Sequence, residues 1–472
     1  MPSARRLAGL AVAVLAAVVV AAVVLRDESE AAPSFARDVA PILRDKCAGC
    51  HQVGGIAPFS LESAPTARKR ALAIAAQVES RRMPPWLPAE ASPDYVGEGE
   101  RTLSEGEIET IVGWARSGGR IDGRALDAPK RGGMPVRDGE RTVELRLPRA
   151  YTPAGETDDY RCFLLDPALK EDAFVTSALI RPGAPAVVHH VILFRASPDQ
   201  VGEAERLDAG HAGQGWRCFG GTGLSVGVGA LADAGWIGAW APGSDAVRYP
   251  AGVGSALAAG SRIVMQVHYN LLHGRAPDRT LAALTLAPGK AALKPAATML
   301  LPAPVELPCA PGESGPLCAR DAAVADLTRQ RGASAARLPT GLLLLCGRNP
   351  FSPAPAAESA CDQSFGTRTT IHGVAGHMHL LGRSIRVELN PGTDSSRVLL
   401  DIPRWDFHWQ SAYMLAEPVV AEAGDRVRVT CRHDPSLRKS GAHGVPRTPR
   451  YIVWGEGTTD EMCLGVLQVT RG

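Results

Sequence analysis

The chain has 472 residues, enough for about three domains of ordinary size. Hydrophobic residues make up 45% of it and charged residues 21%, a composition that supports buried cores and excludes a chain disordered throughout. The formal net charge is +2, without the basic excess of a dedicated nucleic-acid-binding protein. The 50 glycines and 37 prolines show no collagen-like period and favour many short strands joined by turns.

The chain opens with an apolar segment, residues 7–25, made almost entirely of Ala, Val and Leu and preceded by Arg5 and Arg6. This pattern predicts an export segment whose arginines stay in the cytoplasm. The segment is longer than a cleaved core of ~7–15 residues and just reaches the ~17–25 residues needed to span a bilayer. Residues 1–33 are therefore expected to be a signal peptide or a membrane anchor with its linker. The remainder is expected to be exported and periplasmic, anchored to the inner membrane by residues 7–25 if they are not cleaved.

Cys47-Ala-Gly-Cys50-His51 is the C-x-x-C-H signature of covalent haem attachment. Two thiols three positions apart on a helical turn can each bond one haem edge, and the histidine then faces the iron. A zinc-binding pair or a chance match is the alternative. Met83, followed by two prolines that restrict its loop, is the candidate second axial ligand, because a His/Met pair raises the reduction potential as electron transfer requires.

Two predicted helices bracket this motif. Phe35, Val39 and Leu43 recur at helical spacing before it, and a capping box from Ser104 to Glu107 opens a second helix after it. This arrangement resembles a small all-α class I cytochrome c. We expect such a haem domain at residues 34–128, followed by a linker rich in Arg, Gly and Pro at 129–140.

Beyond residue 140 the pattern changes to strands, with alternating segments at 142–147, 261–269 and 426–432. No sustained helical pattern separates them, so antiparallel sandwiches are favoured over a parallel βαβ sheet. Five of the 12 histidines fall at three places in this region. They are His189, His190, His268, His377 and His379.

These histidines are candidate metal ligands, although any one of them alone is more often a core or surface group. His377 and His379 would share one face of a strand. His189 and His190 would point to opposite faces, unless the backbone departs from an ideal strand or the metal lies at a strand end. Imidazole suits zinc, copper and iron, whereas the thioether of Met462 would favour Cu(I).

The chain carries four motifs in a fixed order, and through them residues 140–472 resemble the copper type II ascorbate-dependent monooxygenases. This family includes peptidylglycine α-hydroxylating monooxygenase and dopamine β-monooxygenase. The motifs are His189-His190, the Gln-Val-His-Tyr run containing His268, His377-x-His379, and the Asp-Glu-Met-Cys run containing Met462.

The resemblance implies two eight-stranded jelly-roll sandwiches facing each other across a solvent-filled cleft, at residues 141–290 and 371–472, with an insert at 291–370. It implies hydroxylation of a C–H bond, with the second oxygen atom of dioxygen leaving as water. It also implies two copper ions, one for electron transfer and one that activates dioxygen. Their ligands would be His189, His190 and His268 for the first, and His377, His379 and Met462 for the second.

The eight cysteines outside the haem motif predict up to four disulfides in an oxidising compartment. The resemblance implies Cys162–Cys218 and Cys431–Cys463. The four cysteines that remain all lie in the insert, and we pair them as Cys309–Cys318 and Cys346–Cys361.

The sequence departs from the family in two ways. Ala375 stands where peptide-processing members carry an arginine for the peptide carboxylate, so a small organic molecule is the expected substrate rather than a glycine-extended peptide. A haem domain is absent from the animal enzymes. We hypothesise that it supplies electrons to the three-histidine copper, replacing or supplementing ascorbate, with a redox partner protein as a further candidate donor.

Two other interpretations stay open at this point. One is a non-catalytic haem and copper protein that transfers electrons or binds copper, and the other is a zinc hydrolase on the same histidines. A G-x-S-x-G match at Gly223–Gly227 is discounted, because no strand–helix pattern flanks it. His372 and the other remaining histidines are expected to be surface groups, core groups or supports of the ligands.

Overall fold

The computed structural model describes residues 32–53, 57–123, 136–219, 221–225, 231–242, 244, 246–272, 274–440 and 447–472. These residues fall into two compact units. The predicted export segment at 7–25 and residues 129–135 of the predicted linker lie outside the described residues. The first unit takes the described residues of Met1–Ala48, Ser60–Pro84 and Thr102–Pro129, and the second takes those of Gly49–Phe59, Pro85–Arg101 and Lys130–Gly472.

Most helices are short, and every described strand lies beyond residue 140. The helices are a π-helical turn at Phe35–Val39, α1 (Ala40–Lys46), α2 (Ala64–Lys69), α3 (Ala71–Glu79), α4 (Glu98–Arg101), α5 (Glu105–Arg116), α6 (Pro198–Asp208), a 3₁₀ turn at Pro316–Cys318, α7 (Arg320–Arg331), α8 (Ala333–Leu345) and α9 (Leu437–Ser440). The strands are β1 (Arg141–Arg146), β2 (Asp158–Leu165), β3 (Ala173–Arg181), β4 (Val188–Ala196), β5 (Trp216–Arg217), β6 (Trp236–Trp240), β7 (Val247–Arg248), β8 (Val253–Leu257), β9 (Arg262–Asn270), β10 (Leu281–Pro288), β11 (Lys294–Pro302), β12 (Glu306–Leu307), β13 (Glu358–Ser364), β14 (Thr369–His377), β15 (Gly382–Leu389), β16 (Arg397–Ile402), β17 (Ala412–Ala421), β18 (Arg426–His433), β19 (Ile452–Val453) and β20 (Leu464–Arg471).

The first unit is helical, as predicted. The capping box that opens α5 is present, since Ser104 accepts a hydrogen bond from the Glu107 amide and the Glu107 carboxylate accepts one from the Ser104 amide. The apolar face of α5 is buried, and Trp114 packs against Phe35 with ring centroids 5.3 Å apart. Gly118, with φ 98°, lies just past the end of the helix, where a left-handed residue is favoured.

The second unit contains two β-sandwiches, and the predicted strands at 142–147, 261–269 and 426–432 are confirmed as β1, β9 and β18. In the first sandwich, β1, β10, β3 and β8 form one face, with β7 beside β3. The opposite face has the order β5-β2-β9-β4-β6. Side chains of both faces share one buried core that includes Phe163, Val175, Val191 and Leu284.

The second sandwich packs β11-β20-β14-β17 against β13-β18-β15-β16. A parallel pairing between β8 and β11 joins one sheet of the first sandwich to one sheet of the second, which gives a continuous nine-stranded sheet. Every other strand pairing among the described strands is antiparallel. Residues 291–370, which the sequence suggested as an insert, supply β11 and β13 to this sandwich. They also supply α7 and α8. These two helices were not predicted, because no sustained helical pattern was found between the strands.

A segment that we call the strap, Pro85–Arg101, lies on one side of the second sandwich. It runs alongside β17 and is hydrogen-bonded to it. The Val96 amide donates to the Met414 carbonyl at 2.8 Å, and the Ala416 amide donates to the Asp94 carbonyl at 2.9 Å. It also reaches β16, where the Tyr95 hydroxyl donates to a carbonyl at 2.7 Å. β17 and β16 are the outermost strands of the two facing sheets. The strap therefore covers the edges of both.

The strap is fastened by aromatic side chains. Tyr95 is buried, and its ring centroid lies 5.1 Å from that of Tyr413 on β17. Trp86 packs edge-on against both tyrosines, and the Arg101 guanidinium lies 5.2 Å from the Trp86 ring centroid. Edge-on aromatic pairs and a cation over a tryptophan face each add to the energy of burial.

Four disulfides cross-link the second unit. The pairs are Cys162–Cys218, Cys309–Cys318, Cys346–Cys361 and Cys431–Cys463. They match the four pairings given above. Structural disulfides persist in oxidising compartments, so they indicate an extracytoplasmic protein. Within the part of the chain that the structure describes, every helix is too short or too polar to cross a bilayer.

A buried ion pair anchors α7 to β12, which pairs with β19 in a separate two-stranded sheet. Glu306 on β12 accepts two hydrogen bonds of 2.6 Å from Arg320 and one of 2.9 Å from the Tyr451 hydroxyl. Its side chain is almost fully buried, whereas that of Arg320 is partly exposed. Breaking a buried pair leaves an uncompensated charge, which is strongly destabilising.

We expect Glu306→Gln to lower the free energy of unfolding by about 2–3 kcal/mol, below the full cost of a buried pair because Arg320 reaches solvent. Urea denaturation of the full chain measures this change. Glu358→Gln is the matched control, because its partner Arg432 and Glu358 itself are both exposed. The control should cost less than about 1 kcal/mol. Equal losses in the two variants would contradict this account of the anchor.

Candidate metal centre

Two adjacent strands bring three histidines together. His189 and His190 lie at the beginning of β4, and His268 lies near the end of β9. His190 pairs with His268 in the ladder, and the register shifts between Val188 and His190. Such an irregularity re-aims a side chain. Adjacent strand residues normally point to opposite faces, so His189 and His190 can face one metal only at an irregular position or at a strand end. Both features are present here.

The ring nitrogens of this group face one another. The Nδ1 atoms of His189 and His190 are 3.2 Å apart. One potential ligand atom from each of the three histidines lies within 4.8 Å of the other two. Two nitrogens bonded at roughly 2 Å to one ion stand about 3.3 Å apart in tetrahedral coordination, so the spacing fits a shared metal. His189 and His268 are buried, and His190 is half-buried.

A carboxylate orients His268. The Asp158 carboxylate can only accept, so His268 Nε2–H donates to it at 2.8 Å. Nδ1 of His268 is then buried without a hydrogen-bond partner and is available to a metal. Burial alone would raise the pKa of Asp158, but hydrogen bonds from His268, Thr458 and Thr157 hold that pKa well below its usual range. A carboxylate behind a ligand histidine is a recurrent feature of metal sites.

The second pair, His377 and His379, lies at the end of β14. The strand ends at His377, so strand periodicity is not what brings the two rings together. Their Nε2 atoms are nevertheless 3.2 Å apart, and the Nδ1 atom of each ring is hydrogen-bonded. His377 Nδ1 donates to the Gln410 side-chain oxygen at 2.5 Å, and His379 Nδ1 donates to the Asp460 carbonyl at 3.2 Å.

Burial favours the neutral form of four of the five histidines. It lowers the pKa of His377 to about 4 and moves the pKa values of His189, His190 and His379 well below the ordinary value. Neighbouring imidazoles lower them further. Metal ligands must be deprotonated, so these four imidazoles can bind a metal at pH 7 without first losing a proton.

Met462 is buried one residue after Glu461, on the loop that supports His379. The Glu461 carboxylate accepts hydrogen bonds from the amides of His379 at 3.1 Å and Leu381 at 2.5 Å. The Met462 carbonyl accepts from His433 at 3.3 Å. Burial raises the pKa of Glu461 to about 8. The role of Met462 as a third ligand stays a prediction.

The two histidine groups lie close together. The rings of His190 and His377 have centroids 6.1 Å apart in an edge-on arrangement, within the range of aromatic contact. Phe407 stacks on His189 at 4.3 Å and lies edge-on to His379 at 6.0 Å. The family resemblance implies a solvent-filled cleft between the two groups. In the structure these rings instead form one continuous cluster.

Sequence reasoning missed the residues that support the histidines. Asp158, Gln410, Phe407 and Thr458 were not singled out. Asp158 and His268 are 110 positions apart, and Thr458 and Asp158 are 300 apart, so no local pattern reveals their contacts. The one signal for Thr458 was its place in the run that leads to Met462.

Three further residues from the sequence contact neighbours that lie outside the two histidine groups. His372 is buried and bonds the Thr470 hydroxyl at 2.9 Å. Ser225, of the discounted G-x-S-x-G match, is exposed and donates to the Glu203 carboxylate at 2.9 Å, and residues 226–230 lie outside the described part of the chain. Ala375 lies on β14, paired with Ala412 of β17.

The residues of the haem motif lie in the described part of the chain. Cys47 follows the last residue of α1. The other eight cysteines of the chain form the four disulfides. His51 Nδ1 donates to the Phe59 carbonyl at 3.0 Å, and burial lowers the pKa of His51. A ligand histidine commonly holds its second ring nitrogen in this way. Met83 is half-buried just after α3.

One known protein family matches the part of the chain that forms most of the second sandwich. Residues 350–468 match the family described as copper type II ascorbate-dependent monooxygenase, C-terminal domain. The matched range contains His377, His379 and Met462, and the three-histidine group precedes it. No curated protein matches the chain in sequence.

Solved structures give only distant likenesses. The major capsid protein P2 of bacteriophage PM2 is 8% identical over 70% of this chain and 97% of its own, with a TM-score of 0.25. Allantoicase from Saccharomyces cerevisiae is 9% identical over 65% of this chain and 77% of its own, with a TM-score of 0.16. A fucolectin from Morone saxatilis is 9% identical over 67% and 84%, with a TM-score of 0.15. TM-scores this low do not establish a shared fold.

Proposed function

We propose that this chain is a copper-dependent monooxygenase that hydroxylates a C–H bond of a small organic substrate with dioxygen. The observation that carries the proposal is the 3.2 Å approach of the His377 and His379 Nε2 atoms. It lies within the range that matches the copper monooxygenase family. The three-histidine group lies beside it, and its ring nitrogens also face one another.

The donor sets fit two unequal copper sites. His189, His190 and His268 offer nitrogen only, which suits an ion that passes electrons. His377 and His379, with the thioether of Met462, would favour Cu(I). Bound copper would supply dioxygen activation at the second group and an electron from the first.

The chain's own residues prepare these sites. Asp158, Gln410 and the Asp460 carbonyl each fix one ring nitrogen of a histidine, so the other nitrogen is presented in a set orientation. Phe407 lies between His189 and His379 and contacts the rings of both. Ala375 offers no charge for a peptide carboxylate, which supports a small substrate over a glycine-extended peptide.

We further propose that Cys47 and Cys50 attach a haem whose iron is bound by His51 and Met83. The support is the signature itself and the carbonyl that holds His51. The haem would deliver electrons to the three-histidine group, replacing or supplementing ascorbate. Stopped-flow mixing of reduced haem with Cu(II)-loaded protein tests this step, and we expect haem oxidation coupled to copper reduction. The absence of haem oxidation coupled to copper reduction would remove the idea.

Replacement of Met462 with isoleucine tests the monooxygenase assignment. The expected result is loss of oxygen uptake by ascorbate-reduced, copper-loaded protein in the presence of small organic candidates, because isoleucine has no sulfur to favour Cu(I). The haem spectrum should be unchanged. Met299→Ile is the matched control, since Met299 lies in the same sandwich and both side chains are 8% exposed.

Three outcomes decide between the functions considered above. Turnover that survives Met462→Ile would contradict the assignment of Met462. Two bound coppers with no oxygen uptake by the unaltered chain would favour a non-catalytic copper protein. Zinc in place of copper on metal analysis would favour a hydrolase.

A further inference from the structure

The loop from Gly455 to Met462 contacts both histidine groups, and the proposed chemistry assigns it no role beyond carrying Met462. On one side, the Asp460 carbonyl and the Glu461 carboxylate accept hydrogen bonds from the ring and the amide of His379. On the other side, the Thr458 hydroxyl donates to Asp158, the carboxylate that orients His268. One short loop of the second sandwich thus supports a ligand in each group.

The contact between Thr458 and Asp158 is fully enclosed. The Thr458 residue is 1% exposed and the Asp158 side chain 2%. The Thr458 hydroxyl also lies 3.5 Å from His268 Nε2, so the carboxylate, the imidazole and the hydroxyl form one compact set. Inside a protein such a set is strong when every member is satisfied, and the loss of one member is costly.

A second contact joins the same loop to the first sandwich. Tyr160 on β2 stacks on His268, with centroids 4.1 Å apart and planes 9° apart. Its hydroxyl donates to the Glu456 carbonyl at 2.6 Å. The loop is therefore linked to His268 both through Asp158 and through the Tyr160 ring.

Hydrogen bonds also connect residues within the loop. The Gly457 amide donates to the Asp460 carboxylate, and the Asp460 amide donates to the Gly457 carbonyl at 2.8 Å. A Cβ at Gly455 would lie 2.6 Å from an Asp460 carboxylate oxygen, so the turn requires glycine there. A displacement at Thr458 is consequently passed on to Asp460 and Glu461.

We propose that the Gly455–Met462 loop couples the geometry of the two histidine groups, with Thr458 and Asp158 as positioning residues. The identity of the metal rests on the proposed function, but the coupling itself is a property of the metal-free chain. Loss of the Thr458 hydroxyl releases Asp158 and His268 on one side and loosens the Glu461 contacts with His379 and Leu381 on the other.

The first test needs no metal. Hydrogen exchange by mass spectrometry on the metal-free full chain follows the peptide that contains residues 377–381. We expect Thr458→Val to speed exchange of the His379 and Leu381 amides by about 10-fold or more, because opening becomes less costly when the loop loses an anchor. Thr458→Ser keeps the hydroxyl and should restore slow exchange.

Thr470→Val is the matched control. Thr470 is 2% exposed, lies in the same sandwich and bonds His372, which is outside both groups. Tyr160→Phe, which removes only the contact with Glu456, is a second variant should Thr458→Val fail to fold, and faster exchange of the same peptide is expected. Exchange at 377–381 that is unchanged in Thr458→Val, or in Tyr160→Phe if it alone folds, overturns the proposal.

The second test reads the metal sites. Loss of a group that supports a ligand typically weakens metal binding by 10–100-fold. We expect Thr458→Val to weaken Cu(II) retention at the three-histidine group and Cu(I) retention at His377 and His379 by about that factor, with an altered Cu(II) electron paramagnetic resonance spectrum. Thr458→Ser should restore all three. A change confined to the three-histidine group would overturn the coupling. Failure of the unaltered chain to bind copper would instead count against the proposed function and leave the exchange result standing.

Discussion

Replacing His379 with alanine is expected to reduce the copper bound by the full chain from two ions to one and to abolish oxygen uptake. His377 alone would then face the second site, and one imidazole with one thioether cannot replace the opposed pair of nitrogens 3.2 Å apart. Copper per chain, measured by atomic emission after removal of loosely bound metal, gives the result directly.

His372→Ala is the control for this change. His372 is also a buried histidine and lies on β14, but its partner is the Thr470 hydroxyl. The control should retain both copper ions. Full copper retention in His379→Ala, or loss of one ion in His372→Ala, would place the second site elsewhere in the chain.

Replacing both Cys47 and Cys50 with alanine is expected to remove covalent haem completely, because no thiol of the motif is left to form a thioether bond. Haem staining of a denaturing gel and the absorption spectrum of the denatured protein measure the loss. Gly49→Ala is the matched control, since it lies between the two cysteines and a Cβ there meets no atom within 4 Å.

The control should keep its covalent haem, and copper binding should persist in the double variant. If protein made in a host able to attach haem carries none even with both cysteines in place, the haem assignment fails. The copper sites would be unaffected by that outcome, because their ligands come from other parts of the chain.

The sequence was informative wherever a local pattern decides the structure. The capping box at Ser104 and the alternation in β1, β9 and β18 depend on neighbours within a few residues, and the structure contains them. The condition placed on His189 and His190 was also correct, because side-chain alternation in a strand is a strict geometric rule.

The supports of the site could not be predicted in this way. Asp158 and Thr458 are 300 positions apart and meet only after both sandwiches have formed. The pairing of His377 with His379 was expected for a different reason, since the chain has already left the strand at His379 and it is held by Asp460 and Glu461. Contacts of this kind depend on tertiary packing, which periodicity does not report.

The strap has a consequence for how the copper-binding part of the chain is produced. A truncated protein that begins at residue 130 would keep every candidate copper ligand but would lose Pro85–Arg101. The backbone groups of β17 that bond residues 94–96, and the outer face of Asp401 on β16, would then be open to solvent. Unprotected sheet edges pair readily with other chains and promote aggregation. A fragment that retains residues 85–101, or the whole chain, is therefore the better starting material for work on the metal sites.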